Sequence, residues 1–178
     1  MRVAHRFIGG EGAKKESQSV KRTVERRTPV SHSYVSNLMH CTFSTKGRQP
    51  WIDSDLESRL WPYIGGIARE NRMKALSIGG TTDHLHALLS LPGMMSFAKA
   101  IQLIKGGSSK WINETFRLSR KFEWQEGYGA FSVSASQVPK AITYIKNQKE
   151  HHRKKTFQEE FLELLKKHGL EHDERHIL

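Results

Sequence analysis

Asp83-His84-Leu85-His86-Ala87-Leu88-Leu89-Ser90-Leu91, closed by Pro92-Gly93, is the stretch on which the fold turns. Alternate side chains of an extended strand share a face. Leu85, Ala87, Leu89 and Leu91 therefore line one apolar face, while His84, His86, Leu88 and Ser90 line the other. The segment 84–91 reads as a half-buried strand that sends two imidazoles away from its apolar side. Paired imidazoles on one face are candidate metal ligands. Asp83 beside them has two readings that stay open: a carboxylate orienting a ligating ring from behind, or a cap on the preceding turn.

Working outward, 34–43 reads as a first strand. Segment 53–72 reads as a helix with Leu56, Leu60, Tyr63, Ile64, Ile67 and Ala68 at helical spacing. Pro62 within it predicts a kink or a break. Residues 75–78 read as a short strand, and Gly79-Gly80-Thr81-Thr82 as a turn before the histidine strand. Ser96 can cap a helix carrying Phe97, Ala100, Ile101, Ile104, Trp111 and Ile112. Gly106-Gly107 either interrupts that helix or lets its backbone approach something closely. A fourth strand follows at 128–133, then a helix over 137–151. Thr156-Phe157-Gln158-Glu159 matches a capping box opening a last helix, with Phe161, Leu162, Leu164 and Leu165 on its apolar side and Gly169 as its stop. The order β-α-β-β-α-β predicts an α+β fold: a ferredoxin-like split βαβ, an antiparallel sheet with helices on one face, plus C-terminal helices.

Bulk properties narrow the partners. A net charge of +11 and a pI near 9.9 favour a polyanion, nucleic acid first. An anionic membrane surface competes less well, because no basic amphipathic helix with an aromatic face stands out. No apolar run approaches the roughly 20 residues of a membrane span, and the first residues lack a secretion signal. The single cysteine, Cys41, rules out an internal disulfide and cysteine-rich zinc sites. A cytoplasmic location is the expectation. Residues 1–33 read as a basic, disordered arm, 34–168 as the folded domain, and 169–178 as a frayed tail. No G-x-x-x-x-G-K-[ST] phosphate loop is present.

Tyr144 and Gln148 stand four apart on the helix over 137–151 and share a face, with Ile142 and Ile145 turned to the core. Brought against the strand, they would gather two imidazoles, an amide oxygen and a phenol around one point. Such a set leaves open positions for phosphate oxygens. Without thiolates, and with a neutral oxygen as third ligand, zinc is disfavoured and Mg²⁺ or Mn²⁺ expected, Mn²⁺ being the friendlier to imidazole. A phenolate attacking phosphorus exchanges one ester for another and needs no nucleotide energy source, in keeping with the missing phosphate loop.

The D-H-L-H strand, Tyr144 with Gln148, Lys105-Gly106-Gly107-Ser108-Ser109-Lys110 and Trp124-Gln125-Glu126-Gly127-Tyr128-Gly129-Ala130-Phe131-Ser132-Val133 together resemble the single-tyrosine HUH transposases of the insertion-sequence 200/605 family. The resemblance covers roughly 34–155. It implies metal binding by His84, His86 and Gln148, a 5′-phosphotyrosine on Tyr144, and single-stranded DNA substrates with hairpins. It also implies a homodimer in which the tyrosine helix of one subunit serves the other. The basic arm, Pro62 and the last helix depart from the compact family pattern. Lys105 and Lys110 flank a Gly-Gly pair where phosphate could approach, or they form a solvated basic face. His151-His152-Arg153-Lys154-Lys155 reads as a backbone-contacting patch, with Arg153 and Lys154 as DNA contacts, or as a solvated run, rather than as a second metal site. Trp124 and Tyr128 are open to base stacking, and Phe131 to core packing. The competing readings are a non-catalytic single-strand-binding module, a domesticated relative, and a relaxase-like nuclease or replication initiator.

Overall fold

The histidine strand becomes β3 (His84–Ser90), held between β2 (Lys74–Gly80) and β1 (Leu38–Ser44). β4 (Gly129–Ser132) pairs with the far side of β1, so the sheet order is β2-β3-β1-β4 with every pairing antiparallel. The computed structural model describes residues 34–173. The arm expected at 1–33 and the end of the tail, 174–178, lie outside the described residues. Helix α1 (Ser54–Glu70) joins β1 to β2, and α2 (Phe97–Thr115) joins β3 to β4. After β4 come α3 (Val138–Lys146), α4 (Gln148–His151) and α5 (Phe157–Lys167). This is the ferredoxin-like α+β arrangement that the element order predicts.

The two faces of the sheet have different tasks. Met39, Cys41 and Phe43 of β1 and Leu85, Ala87 and Leu89 of β3 are fully buried in the main core. Leu60 and Ile64 of α1 and Ile101 and Ile104 of α2 complete it. Each of the Leu, Ile, Met and Phe side chains among them contributes about 1.5–3 kcal/mol by leaving water. Pro62 neither breaks α1 nor splits it, for the helix runs on through it. Pro62 and Ser58, whose carbonyl loses its helical partner, are both exposed, so water can satisfy the freed oxygen. Gly106-Gly107 likewise leaves α2 continuous. The close-approach reading is the one met: a Cβ on Gly107 would lie 2.9 Å from Cδ1 of Ile67, so α2 sits tightly on α1 there.

The opposite face carries the histidines, and it is covered too. Helix α3 packs on β2 and β3. Gly79 makes that approach possible, because a Cβ there would lie 2.3 Å from the Ile145 carbonyl oxygen. The single helix expected over 137–151 is two, parted at Asn147 (φ −96, ψ 16), which ends α3 between Tyr144 and Gln148. Beyond them α5 opens with the capping box read from the sequence, Thr156 and Glu159 bonding reciprocally. Phe157 and Phe161 of α5 pack with Phe131 of β4 in a second small core. Trp124 is not a stacking platform. It is buried, donates its Nε1–H to Ser108 Oγ at 2.9 Å, and meets Phe43 and Phe122 edge-on. Tyr128 remains partly exposed. Among the described residues no helix is long and apolar enough to cross a membrane.

Candidate active site

His84 and His86 project from β3 into the layer between the sheet and the C-terminal helices, at 1% and 0% exposure. The His84 ring is fixed from behind: Nδ1 lies 2.7 Å from Asp83 Oδ1 and 2.9 Å from Thr81 Oγ1. Asp83 is itself clamped by Arg48, whose Nη2 and Nε donate to Oδ2 at 2.7 and 3.1 Å. Burial alone would raise the Asp83 carboxyl, but its bonds with His84, Arg48 and Thr81 outweigh that and hold it below the usual range. His84 goes the other way: burial draws it down to about 4, despite Asp83. With Nδ1 donating to Asp83, the Nε2 lone pair faces inward, and it is buried without a hydrogen-bond partner. His86 is held similarly, its Nδ1 2.9 Å from Nε2 of His40 on β1.

Tyr144 and Gln148 meet this pair within the same chain. The Tyr144 ring stands edge-on to His86, centroids 5.9 Å apart. Gln148 is 1% exposed, and its Oε1, like His84 Nε2, is a buried acceptor without a partner. The break at Asn147 does not undo their alignment, since both side chains reach one group, Glu160 of α5. Tyr144 donates its hydroxyl proton to Glu160 Oε1, and Gln148 Nε2 donates to the same oxygen at 3.0 Å. Burial, then the Glu160 carboxylate, push the phenol well above its ordinary value, so the resting tyrosine is neutral.

Neither Glu160 nor His152 was foreseen as part of the site. Glu160 is 2% exposed, with Oε2 3.2 Å from His86 Nε2 and 3.1 Å from His152 Nε2. Burial would raise its carboxyl, but its hydrogen bonds with His152 and His86 more than offset this, and it stays ionised. The sequence did hold a signal. Phe157, Glu160, Phe161 and Leu164 fall at i, i+3, i+4 and i+7, which puts a carboxylate in the buried stripe of α5. His152 corrects the reading of the basic run: its side chain is 12% exposed and turns inward, Nδ1 donating to the Lys155 carbonyl at 2.9 Å. His84, His86, His152 and Glu160 offer ligand atoms that all lie within 4.8 Å of one another.

The predicted DNA contacts divide between two regions. Arg153 and Lys154 rim a cleft of about 620 Å³ that has Arg48, His84 and His152 in its wall. Arg153 also pairs with Glu150 at 2.9 Å. Lys105 and Lys110 line a separate cleft of about 540 Å³. Lys110 is exposed there, whereas Lys105 donates to the carbonyls of Gln125 and Gly127 at 2.5 and 2.7 Å and so ties down the loop before β4. Tyr144 opens onto a third cleft of about 610 Å³, with His40, Lys140, His151 and Lys167 around it.

Known proteins with this architecture include a candidate transposase from Deinococcus radiodurans R1 (TM-score 0.55, 20% identity, 66% of this chain and 94% of that one). Another is a REP-associated tyrosine transposase bound to a REP hairpin (TM-score 0.53, 16% identity, 70% of this chain and 74% of that one). In sequence, the transposases for insertion sequence element IS200 of Salmonella typhimurium and Salmonella typhi are each 25% identical over 127 residues, 68% of this chain and 82% of theirs. The family model described as "Transposase IS200 like" matches residues 33–148, a span that takes in His84, His86, Tyr144 and Gln148 and stops short of His152 and Glu160. On that match, which covers well over half of its length, the chain belongs to the IS200-like transposases.

Proposed function

We propose that this transposase cuts and rejoins single-stranded DNA by transesterification through a 5′-phosphotyrosine on Tyr144. The observation that carries the reading is the meeting, inside one chain, of a tyrosine with two inward-facing imidazoles and two buried, unpartnered acceptor atoms, His84 Nε2 and Gln148 Oε1. Those acceptors suit a cation, so His84, His86 and Gln148 fit a divalent ion, Mg²⁺ or Mn²⁺. When bound, it supplies positive charge beside the scissile phosphate and the departing 3′ oxygen.

The residues do the rest. Tyr144 Oη forms the bond to phosphorus, the P–O3′ bond breaks, and the phenol proton passes to Glu160 Oε1, the acceptor already hydrogen-bonded to it. The 3′ oxygen leaves with the electron pair and takes a proton from solvent. Rejoining reverses this: a 3′-hydroxyl attacks the phosphotyrosine and the phenol recovers its proton. Making a phenolate at neutral pH costs about 4 kcal/mol for an ordinary tyrosine, and burial adds to that here. A nearby cation and a proton acceptor are what such a site needs. Asp83 keeps the His84 ring in its tautomer. Arg153, Lys154 and Lys110 are the proposed phosphate contacts, and a hairpin-bearing single strand is the proposed substrate, as the hairpin-bound relative suggests.

The resemblance also implies a homodimer with Tyr144 acting in trans, whereas the seat of Tyr144 beside His86 of its own chain favours action in cis. Mixing Tyr144→Phe protein with His84→Ala/His86→Ala protein on a hairpin oligonucleotide with Mn²⁺ tests both points. In cis, neither variant nor the mixture gives a covalent adduct on a denaturing gel, while wild type does. An adduct restored by mixing would establish trans action. No adduct with wild type, together with unchanged DNA binding by the His84→Ala/His86→Ala protein, would favour the non-catalytic binding module.

A further inference from the structure

We infer that the ion is gripped by three imidazoles and a carboxylate, His84, His86, His152 and Glu160, and that the site therefore selects a first-row transition dication (Mn²⁺, Co²⁺ or Zn²⁺) over Mg²⁺. This rests on the reading that His84 and His86 hold a metal. It adds two ligands from the segment beyond the residues matched by the family model.

The hydrogen bonds behind the rings carry the argument. Each imidazole is engaged at Nδ1: His84 by Asp83, His86 by His40, His152 by the Lys155 carbonyl. A carbonyl only accepts, so His152 Nδ1 donates, and in the neutral ring its Nε2 is a lone pair. That lone pair faces Glu160 Oε2 at 3.1 Å, and His86 Nε2 lies 3.2 Å from the same oxygen. His84 Nε2 and Gln148 Oε1 have no partner at all. One ligand atom each from His84, His86, His152 and Glu160 thus converges in a buried layer, where His84 Nε2 has no partner. One dication satisfies the same lone pairs together. The ligand atoms lie within 4.8 Å of one another, somewhat wider than the roughly 4.2 Å across an ion with bonds of about 2.1 Å, so small side-chain shifts would close the set on an ion. Imidazole-rich sets favour borderline transition ions, whereas Mg²⁺ prefers oxygen and holds its water. The carboxylate is also divided in use, Oε2 toward the imidazoles and Oε1 toward Tyr144 and Gln148.

The test titrates metal-free full-length protein with CoCl₂, followed by calorimetry and the visible cobalt spectrum, with MgCl₂ as competitor. Loss of partners behind a ligand already weakens metal binding about 10–100-fold. His152→Ala and Glu160→Gln should therefore each weaken Co²⁺ by more than about tenfold and change its spectrum, and Mg²⁺ should not displace it at equal concentration. X-ray absorption of the zinc-loaded wild type should count three imidazoles, a readout independent of whether any variant folds. Two imidazoles, wild-type Co²⁺ affinity in both variants, or displacement by equimolar Mg²⁺ would overturn the inference. If His84→Ala loses Co²⁺ while His152→Ala and Glu160→Gln keep it, the proposed reaction stands without this ligand set. If His84→Ala also keeps it, both fall.

Discussion

Tyr144, the proposed nucleophile, is held in its least reactive form, buried and bonded to a carboxylate that discourages ionisation. The same residues make the site sensitive to acid. Burial holds His84 at about 4 and His40 at about 3, against an ordinary 6.5. The folded state then binds fewer protons than the unfolded state between pH 6.5 and those values, so stability falls as pH falls through that window. Asp83 and Glu160, both lowered, act in the same direction at more acid pH. Metal-free protein should keep a level melting temperature above about pH 7 and lose stability steadily from pH 6.5 to 4, by a few kcal/mol in all. A melting temperature that is flat or rising down to pH 5 would contradict this. His84, His86, Tyr144 and Gln148 were legible because strand and helix periods place them on shared faces. Glu160 was missed because the apolar side of α5 was read from Phe161, Leu162, Leu164 and Leu165, although Phe157 and Phe161 bracket the carboxylate in the buried stripe. His152 was hidden in a run of basic residues, where only the turn before α5 decides which side chain points inward.

At the level of elements, the site depends on how closely α3 lies on the sheet. Gly79 is the gap that admits it, and Gly106, with nothing within 4 Å of its missing Cβ, is the natural control. Gly79→Ala should force the Ile145 carbonyl outward, lower the melting temperature and cut adduct formation by moving Tyr144. Gly106→Ala should be neutral or stabilise by about 0.5–1 kcal/mol, since alanine replaces glycine inside a helix. Equal melting temperatures for the two variants would show that α3 is not seated by this contact. Strand and helix order was readable from alternation, caps and turn residues. The Asn147 break was not, because the apolar pattern runs through it without a proline or glycine to mark it. Nor could the sequence show that Pro62 would be accommodated, a matter of which side of α1 meets water.

For the whole molecule, charge and architecture point the same way. A chain of net charge +11 is expected to hold the proposed single-stranded substrate largely through its phosphates. If Arg153 and Lys154 each contact one phosphate, replacing both by alanine should reduce the salt slope of hairpin-oligonucleotide affinity by about 1.4, at roughly 0.7 per contact. An unchanged slope would move the DNA path elsewhere, the cleft beside Lys110 being next in line. The α+β plan was open to sequence reasoning because α1 and α2 each carry the chain between strands and a tight turn joins β2 to β3. The covering of the histidine face by α3 to α5 was not, since it depends on contacts between segments about 60–75 residues apart, which periodicity cannot register. The most direct measurement is peptide mapping by mass spectrometry of wild-type protein incubated with a hairpin-bearing single strand and Mn²⁺. The expected result is a nucleotide ester on Tyr144 and no adduct in Tyr144→Phe; an adduct on another residue, or one that persists in Tyr144→Phe, would contradict the account.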